Sequence, residues 1–226
     1  MEKIPWKTLE IIIFDLDGTL YDQLKLRKKM FLALIGYYLL RPWRYKDILI
    51  LYHFRKEREK HAGSQQKNIQ EAQYQWCLNK VDSSLAEVKR VINKWIFDFP
   101  NRYLRKCSYP GIHSFFEELE KQGISTAVYS DYEAKNKLEK MDIRVDLVAS
   151  STQTEINALK PLPNGLTYIL SKMGIKNKEN CLFIGDREEL DGECSRVAGI
   201  PFLLIDKKTG PYFYRQLLEK LKKSGI

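Results

Sequence analysis

The chain has 226 residues, 44% hydrophobic and 30% charged; this suits one domain with a sizeable insertion, or two small domains, and excludes a disordered or fibrous chain. Lys and Arg total 38 against 29 Asp and Glu, a formal charge of +9, which favours anionic partners: phosphorylated metabolites, nucleic acid or an acidic membrane surface. Cys77, Cys107, Cys181 and Cys194 are scattered without a CxxC pair, so they read as buried apolar side chains in a reducing compartment rather than as a zinc knuckle or disulfide framework.

The segment leading to Leu9 carries no long apolar stretch or cleavage site, so secretion is not expected and a cytoplasmic location is. Leu9 to Phe14 is a short, β-branched apolar run that ends in an Asp-Gly turn signal. It reads as the first strand of a parallel sheet, buried on both faces. From Leu24 to Tyr103 only helical signals appear, among them Leu85, Val88, Ile92, Trp95 and Phe99 at spacings of three and four. After Pro110-Gly111, helix and strand alternate. The expected helices are Ile112 to Gln122, Glu133 to Lys140, Asn164 to Met173, Glu188 to Ala198 and Pro211 to Lys223. The strands between them are Ile124 to Ser130, Val145 to Ala149, Cys181 to Ile184 and Pro201 to Ile205. This alternation implies an α/β fold, a Rossmann-like parallel sheet flanked by helices, interrupted by an all-α insertion.

Open parallel sheets bind ligands beyond the carboxyl ends of their strands. The first strand delivers Asp15-Leu16-Asp17-Gly18-Thr19, two carboxylates one residue apart before a glycine that permits a sharp reversal. One carboxylate can face a reacting atom while the other stands by as proton donor; the same run also suits an ordinary turn or a calcium loop. A later strand ends at Ser130-Asp131, which places a hydroxyl and free helix N–H groups where an anion could sit, although a serine there also suits a helix cap. Lys160-Pro161 offers a stiffly held cation, and Gly185-Asp186-Arg187-Glu188-Glu189-Leu190-Asp191 offers acidic groups after a close-approach glycine. Carboxylates from two strand ends together with a carbonyl make a sensible Mg2+ site.

In this order the four motifs resemble the haloacid dehalogenase superfamily. The resemblance covers residues 1–21 and 108–226 as the catalytic core and implies that 22–107 form a helical cap, a region supported by position alone. It further implies a Mg2+-dependent phosphomonoester hydrolase in which Asp15 is the nucleophile and Asp17 the acid and base. Gly18, Thr19, Ser130, Asp131 and Lys160 would bind phosphate. Asp15, the Asp17 carbonyl and Asp186 would hold the metal, while Asp191 orients a metal-bound water or Lys160. Asp17 speaks against dehalogenation and phosphonate cleavage; a phosphomutase or a non-catalytic phosphate-binding protein remain alternatives. One departure from the pattern is Asp131, where relatives often carry Asn, and its extra charge needs an offset.

The insertion is unusual. From Asp22 to His61, eleven basic residues face four acidic ones, and Met30 to Leu40 and Ile48 to Phe54 are apolar nearly all round. These runs are expected to form the cap's own core and a dimer or domain interface. A second reading rests residues 25–60 on an anionic membrane, at the inner face, and makes the substrate a phosphorylated lipid rather than a small phosphorylated metabolite. Trp43, Tyr45 and Tyr52 could stack on bases, but no motif supports specific nucleic-acid binding. His53, His61 and His113 lack metal-ligand spacing.

Overall fold

The computed structural model describes residues 4–205 and 209–224; residues 1–3, 206–208 and 225–226 of the expected core lie outside the described residues. Five parallel strands form one sheet in the order β3-β2-β1-β4-β5: β1 Ile11–Phe14, β2 Ser125–Ser130, β3 Leu147–Ser150, β4 Cys181–Gly185 and β5 Phe202–Leu204. The central strand β1, an unbroken apolar run, is paired on both edges and buried on both faces. Ile11 pairs in register with Ser125 on one side and with Cys181 on the other.

Side chains alternate across the sheet. Ile12, Phe14, Val128, Leu182 and Ile184 enter the larger core, beneath α6 (Ile112–Lys121), α7 (Lys135–Met141) and α10 (Gly210–Ser224). Ile11, Ile13, Ala127, Tyr129 and Phe183 enter the second core, beneath α8 (Asn164–Met173) and α9 (Glu193–Ala198). The fold is therefore the α/β, Rossmann-like one expected, and each strand begins and ends within two residues of its expected position. All four cysteines are buried and free.

Between β1 and α6 lie five helices: α1 Gln23–Leu39, α2 Tyr45–Lys60, α3 Ile69–Leu78, α4 Leu85–Ile92 and α5 Asn101–Cys107. The three-and-four spacing from Leu85 runs through α4 into a π-helical stretch, Asn93–Asp98, and buries Val88, Ile92 and Trp95. The expectation that the two apolar runs form a core holds on one side only. Met30, Tyr38, Ile50, Leu51 and Phe54 are buried, whereas Phe31, Leu32, Ile35, Leu39, Leu40, Ile48 and Leu49 are exposed. A helix that is apolar all round can bury only the stripe that meets a neighbour.

Among the contacts that join this helical block to the rest of the chain, three lie near the strand ends. The chain leaves and returns through a Tyr21–Ser108 bridge, with the Asp22 N–H donating to the Cys107 carbonyl at 2.9 Å. The turn after α2 pairs with the loop that carries Lys160: the Gly63 N–H donates to the Lys160 carbonyl and the Leu159 N–H to the Ser64 carbonyl, both at 2.9 Å. The buried Arg58 donates to Gln73 and to the Asp131 carbonyl, and stacks on the Tyr132 ring.

Gly165 in α8 lets that helix lie flat on Tyr129: a Cβ there would come within 2.1 Å of the ring. The same ring lies 4.9 Å from the Lys160 ammonium. Gly165→Ala should therefore destabilise the protein by ~1–3 kcal/mol through overpacking, although a helix-interior Gly→Ala change alone would stabilise by about 1 kcal/mol. Urea denaturation measures the sign, and an unchanged or raised midpoint would show that the ring gives way freely.

Candidate active site

The carboxyl ends of β1, β2 and β4 converge on one cavity of about 470 Å³, and Lys160, from the loop after β3, bonds to Asp15 in its wall. Asp15 is the first residue past β1, where its N–H still donates to the Ile184 carbonyl at 2.8 Å. Its carboxylate is held at both oxygens. Thr19 Oγ1 donates to Oδ2 at 2.9 Å and Lys160 Nζ donates to Oδ1 at 2.7 Å. The reversal that brings Thr19 back is made at Gly18, whose φ of +106° is in the left-handed region, and where a Cβ would lie 2.3 Å from Asp186 Oδ2.

Lys160, only 2% exposed, also donates to Asp191 Oδ1 at 2.7 Å. Burial opposes its charge, but Asp15, Asp191 and Asp131 outweigh that penalty and hold the ammonium well above the ordinary lysine range. Asp15 has the opposite problem. Burial pushes its carboxyl well above the usual carboxylate range, Lys160 pulls it down, and the charges of Asp191 and Asp186 push it up again. Asp15, Asp186 and Asp191 each place an oxygen within 4.8 Å of the others. Three carboxylates on one lysine leave excess negative charge, and an all-oxygen donor set is what a hard divalent cation takes, so the residues fit Mg2+. Asp191 is committed elsewhere at both oxygens: besides Lys160, its Oδ2 accepts from the Arg187 N–H at 3.1 Å.

Asp191 reaches back because the chain after β4 opens into a π-helical turn, Glu188–Gly192, before α9. Its side chain packs so tightly against Gly185 that a Cβ there would lie 2.5 Å from Asp191 Cβ. The sequence reads this turn as the first part of an ordinary helix.

Asp17 faces the same cavity. Lys137 Nζ lies 2.6 and 2.7 Å from its two oxygens, and the Tyr21 hydroxyl donates at 2.7 Å. Burial raises the Asp17 carboxyl, but the Lys137 charge and these hydrogen bonds prevail and it ends below its ordinary value. Burial, and then the charge and hydrogen bond of Asp17, lift the Tyr21 phenol well above its ordinary range. Lys137 has no motif: it is a buried lysine two turns into the region after β2, where its spacing from Ser130 carries no signal.

Of the remaining residues expected at the site, Ser130 Oγ accepts from the Tyr132 N–H at 3.2 Å, which makes it a turn cap as well as a cavity wall. Asp131 Oδ1 accepts from Ser151 Oγ at 2.9 Å and from the Lys160 N–H at 3.4 Å, partners that offset its charge. Gln23 and Arg27 of α1 and Glu59 of α2 line the opposite wall. Arg187 joins the two sides with 2.5 and 3.3 Å contacts to Glu59.

Removing the Lys137 charge should raise the Asp17 pKa, so the limb of the kcat/KM pH profile set by Asp17 moves to higher pH in Lys137→Met; a limb that stays put would separate Lys137 from the working site. Stability follows a fixed sign. A carboxyl with a depressed folded pKa adds stability above the unfolded value of about 3.9 and loses it as pH falls through the folded one. The variant should thus be less stable than the parent near neutrality by up to ~3 kcal/mol, with the gap closing in acid.

A family model described as haloacid dehalogenase-like hydrolase matches residues 12–205. No match was found among curated proteins. Among solved structures, a putative HAD-hydrolase from Bacillus subtilis bound to magnesium superposes with a TM-score of 0.58 at 14% identity, covering 87% of this chain and 86% of that one. A HAD phosphatase from Thermococcus onnurineus gives 0.57 at 20% identity, covering 88% and 87%. A β-phosphoglucomutase from Clostridium difficile gives 0.56 at 17%, covering 96% and 98%. At these identities the likeness is one of fold. The family match spans most of the chain, the matched stretch contains every residue of the cavity described above, and the chain belongs to the haloacid dehalogenase-like hydrolases.

Proposed function

We propose that the protein is a Mg2+-dependent phosphomonoester hydrolase that works through an aspartyl-phosphate on Asp15. The observation that carries this reading is the fixed Asp15 carboxylate. With Thr19 on one oxygen and Lys160 on the other, it is buried and aimed in one direction, two residues before a second carboxylate on the same cavity. Such pre-orientation is what a weak oxygen nucleophile needs.

In the first half-reaction an Asp15 oxygen bonds to phosphorus as the bond to the alcohol oxygen breaks, and Asp17 gives that leaving oxygen its proton. In the second, Asp17 takes a proton from water, the water oxygen bonds to phosphorus, and Asp15 is released with inorganic phosphate. Lys160 offsets the charge that gathers on Asp15 and the phosphoryl oxygens, and Asp191 keeps Lys160 in place. Thr19 and Ser130, with the N–H groups after β1 and β2, face the phosphoryl oxygens. Mg2+, held by Asp15, Asp186 and the Asp17 carbonyl, would neutralise the phosphate dianion and polarise it toward attack. Residues 1–21 and 108–226 act as the catalytic core and 22–107 as a cap that supplies Gln23 and Arg27 to the substrate side.

Phosphate release from an aryl phosphate and from a panel of phosphorylated metabolites and lipids tests this directly. Turnover should need Mg2+, stop with chelator and fall by ~10³-fold or more in Asp15→Asn. A well-folded protein that releases phosphate from nothing in Mg2+, or an Asp15→Asn variant that keeps its rate, would overturn the reading.

A further inference from the structure

Eleven of the fourteen exposed large apolar side chains among the described residues lie between Leu24 and Tyr52, on α1, α2 and the turn that joins them. Leu39, Leu40 and Trp43, at the tip, are 77%, 72% and 72% exposed. Such clustering marks a surface that something covers. Its charge says what. From Gln23 to Lys56 there are nine Lys and Arg and a single acidic residue, Asp47. Asp47 is itself buried, and bonds to Tyr38 at 3.1 Å and to Arg90 at 3.3 Å. Nearly all of the chain's positive excess therefore sits on this hairpin.

The charges are not spread evenly. Lys25, Arg27, Lys28 and Lys29 stand at one end with Arg55 and Lys56, Arg41, Arg44 and Lys46 stand at the other, and the helices between carry no charge over Met30 to Leu40. That uncharged band is about 16 Å long, half of the roughly 30 Å that a hydrocarbon core requires. No described helix is long and apolar enough to cross a membrane. An apolar band flanked by basic residues, with Trp43 and Tyr45 at its tip, is suited to lying in the headgroup boundary; Arg44 and Lys46 are paired with Glu87 and Asp82, which leaves Lys25, Lys28, Lys29 and Arg41 as the cations that reach lipid phosphates.

We propose that the α1–α2 hairpin docks the protein on an anionic phospholipid bilayer. Between the two helices runs an apolar groove of about 820 Å³, walled by Phe31, Ile35 and Leu39 on one side and Ile48, Leu51 and Tyr52 on the other. Glu59 borders both this groove and the catalytic cavity. Resting on the hydrolase reading, this adjacency favours an amphiphilic phosphomonoester as the substrate class, with its apolar chain in the groove and its phosphate at Asp15.

Co-sedimentation with phosphatidylcholine vesicles, with and without phosphatidylglycerol, tests the docking independently of catalysis. The protein should pellet with the anionic vesicles. Leu32→Glu/Leu40→Glu/Trp43→Glu, at exposed residues that line neither the groove nor the catalytic cavity, should weaken that binding at least ~10-fold by removing apolar insertion, and Lys25→Gln/Lys28→Gln should weaken it by removing charge. Neither variant touches the catalytic cavity, so aryl phosphate turnover in solution should be unchanged while turnover of a vesicle-borne lipid phosphate falls with binding. Vesicle binding by a protein that hydrolyses no phosphate supports the docking and counts against the hydrolase reading alone. Absence of binding to anionic vesicles overturns the docking. So does a self-associated form that the triple variant dissolves, which would make the face a contact between two copies.

Discussion

Lys160 is the group around which the site is organised. It is a buried cation with one carboxylate on each side, Asp15 and Asp191 at 2.7 Å each, and its own burial is tolerable only because both are present. Much of the surrounding structure serves this clamp. The Tyr129 ring lies against the ammonium, held flat by the missing side chain of Gly165 and bonded to Ser151. The main chain at Lys160 is fixed from both directions, its N–H by Asp131 and its carbonyl by Gly63 of the helical block. The clamp thus couples three strand ends and the insertion in one set of contacts.

The clamp also explains an electrostatic imbalance. One lysine cannot neutralise Asp15, Asp186 and Asp191 together, and Asp15 shows the consequence in a carboxyl driven upward by burial and by its like-charged neighbours. A dianionic phosphate would worsen that balance, and a divalent cation among the same oxygens would reverse it. On the proposed hydrolase reading, metal and phosphate would therefore be mutually required ligands.

The core was legible because its strands are buried on both faces, so they appear as continuous apolar runs that end in Asp, Ser or Gly, and the chemistry hangs on those ends. Asp15, Asp17, Ser130, Asp131, Asp186 and Asp191 all reach the same cavity for that reason. Lys137 and Tyr21 were not legible. Each acts through a side chain that meets Asp17 only after the chain has folded, and the 120 residues between Lys137 and Asp17 leave no local pattern. The π-helical turn at Glu188 was hidden as well, since one widened turn preserves the apolar spacing of an α-helix while it redirects Asp191 inward. The insertion was readable as helical but not as to which faces it buries: Met30 and Phe31 are alike as residues, and only contact with the neighbouring helices distinguishes them.

Asp17 shows how the geometry constrains the order of events. With Lys137 and Tyr21 on its oxygens it is held ionised, which is the form that accepts a proton from water and not the form that gives one to a leaving alcohol. On the proposed hydrolase reading, this arrangement therefore matches the second half-reaction. To serve in the first, Asp17 must gain a proton as its contact with Lys137 loosens, and Lys137 is carried by α7, which packs against α5 of the helical block. Arg58 and the Arg187–Glu59 pair tie that block to the rim of the same cavity. On that reading, a shift of the block on substrate entry would bear on the Lys137 contact, one of the two that set the protonation of Asp17, and would couple occupancy of the cavity to readiness of the acid.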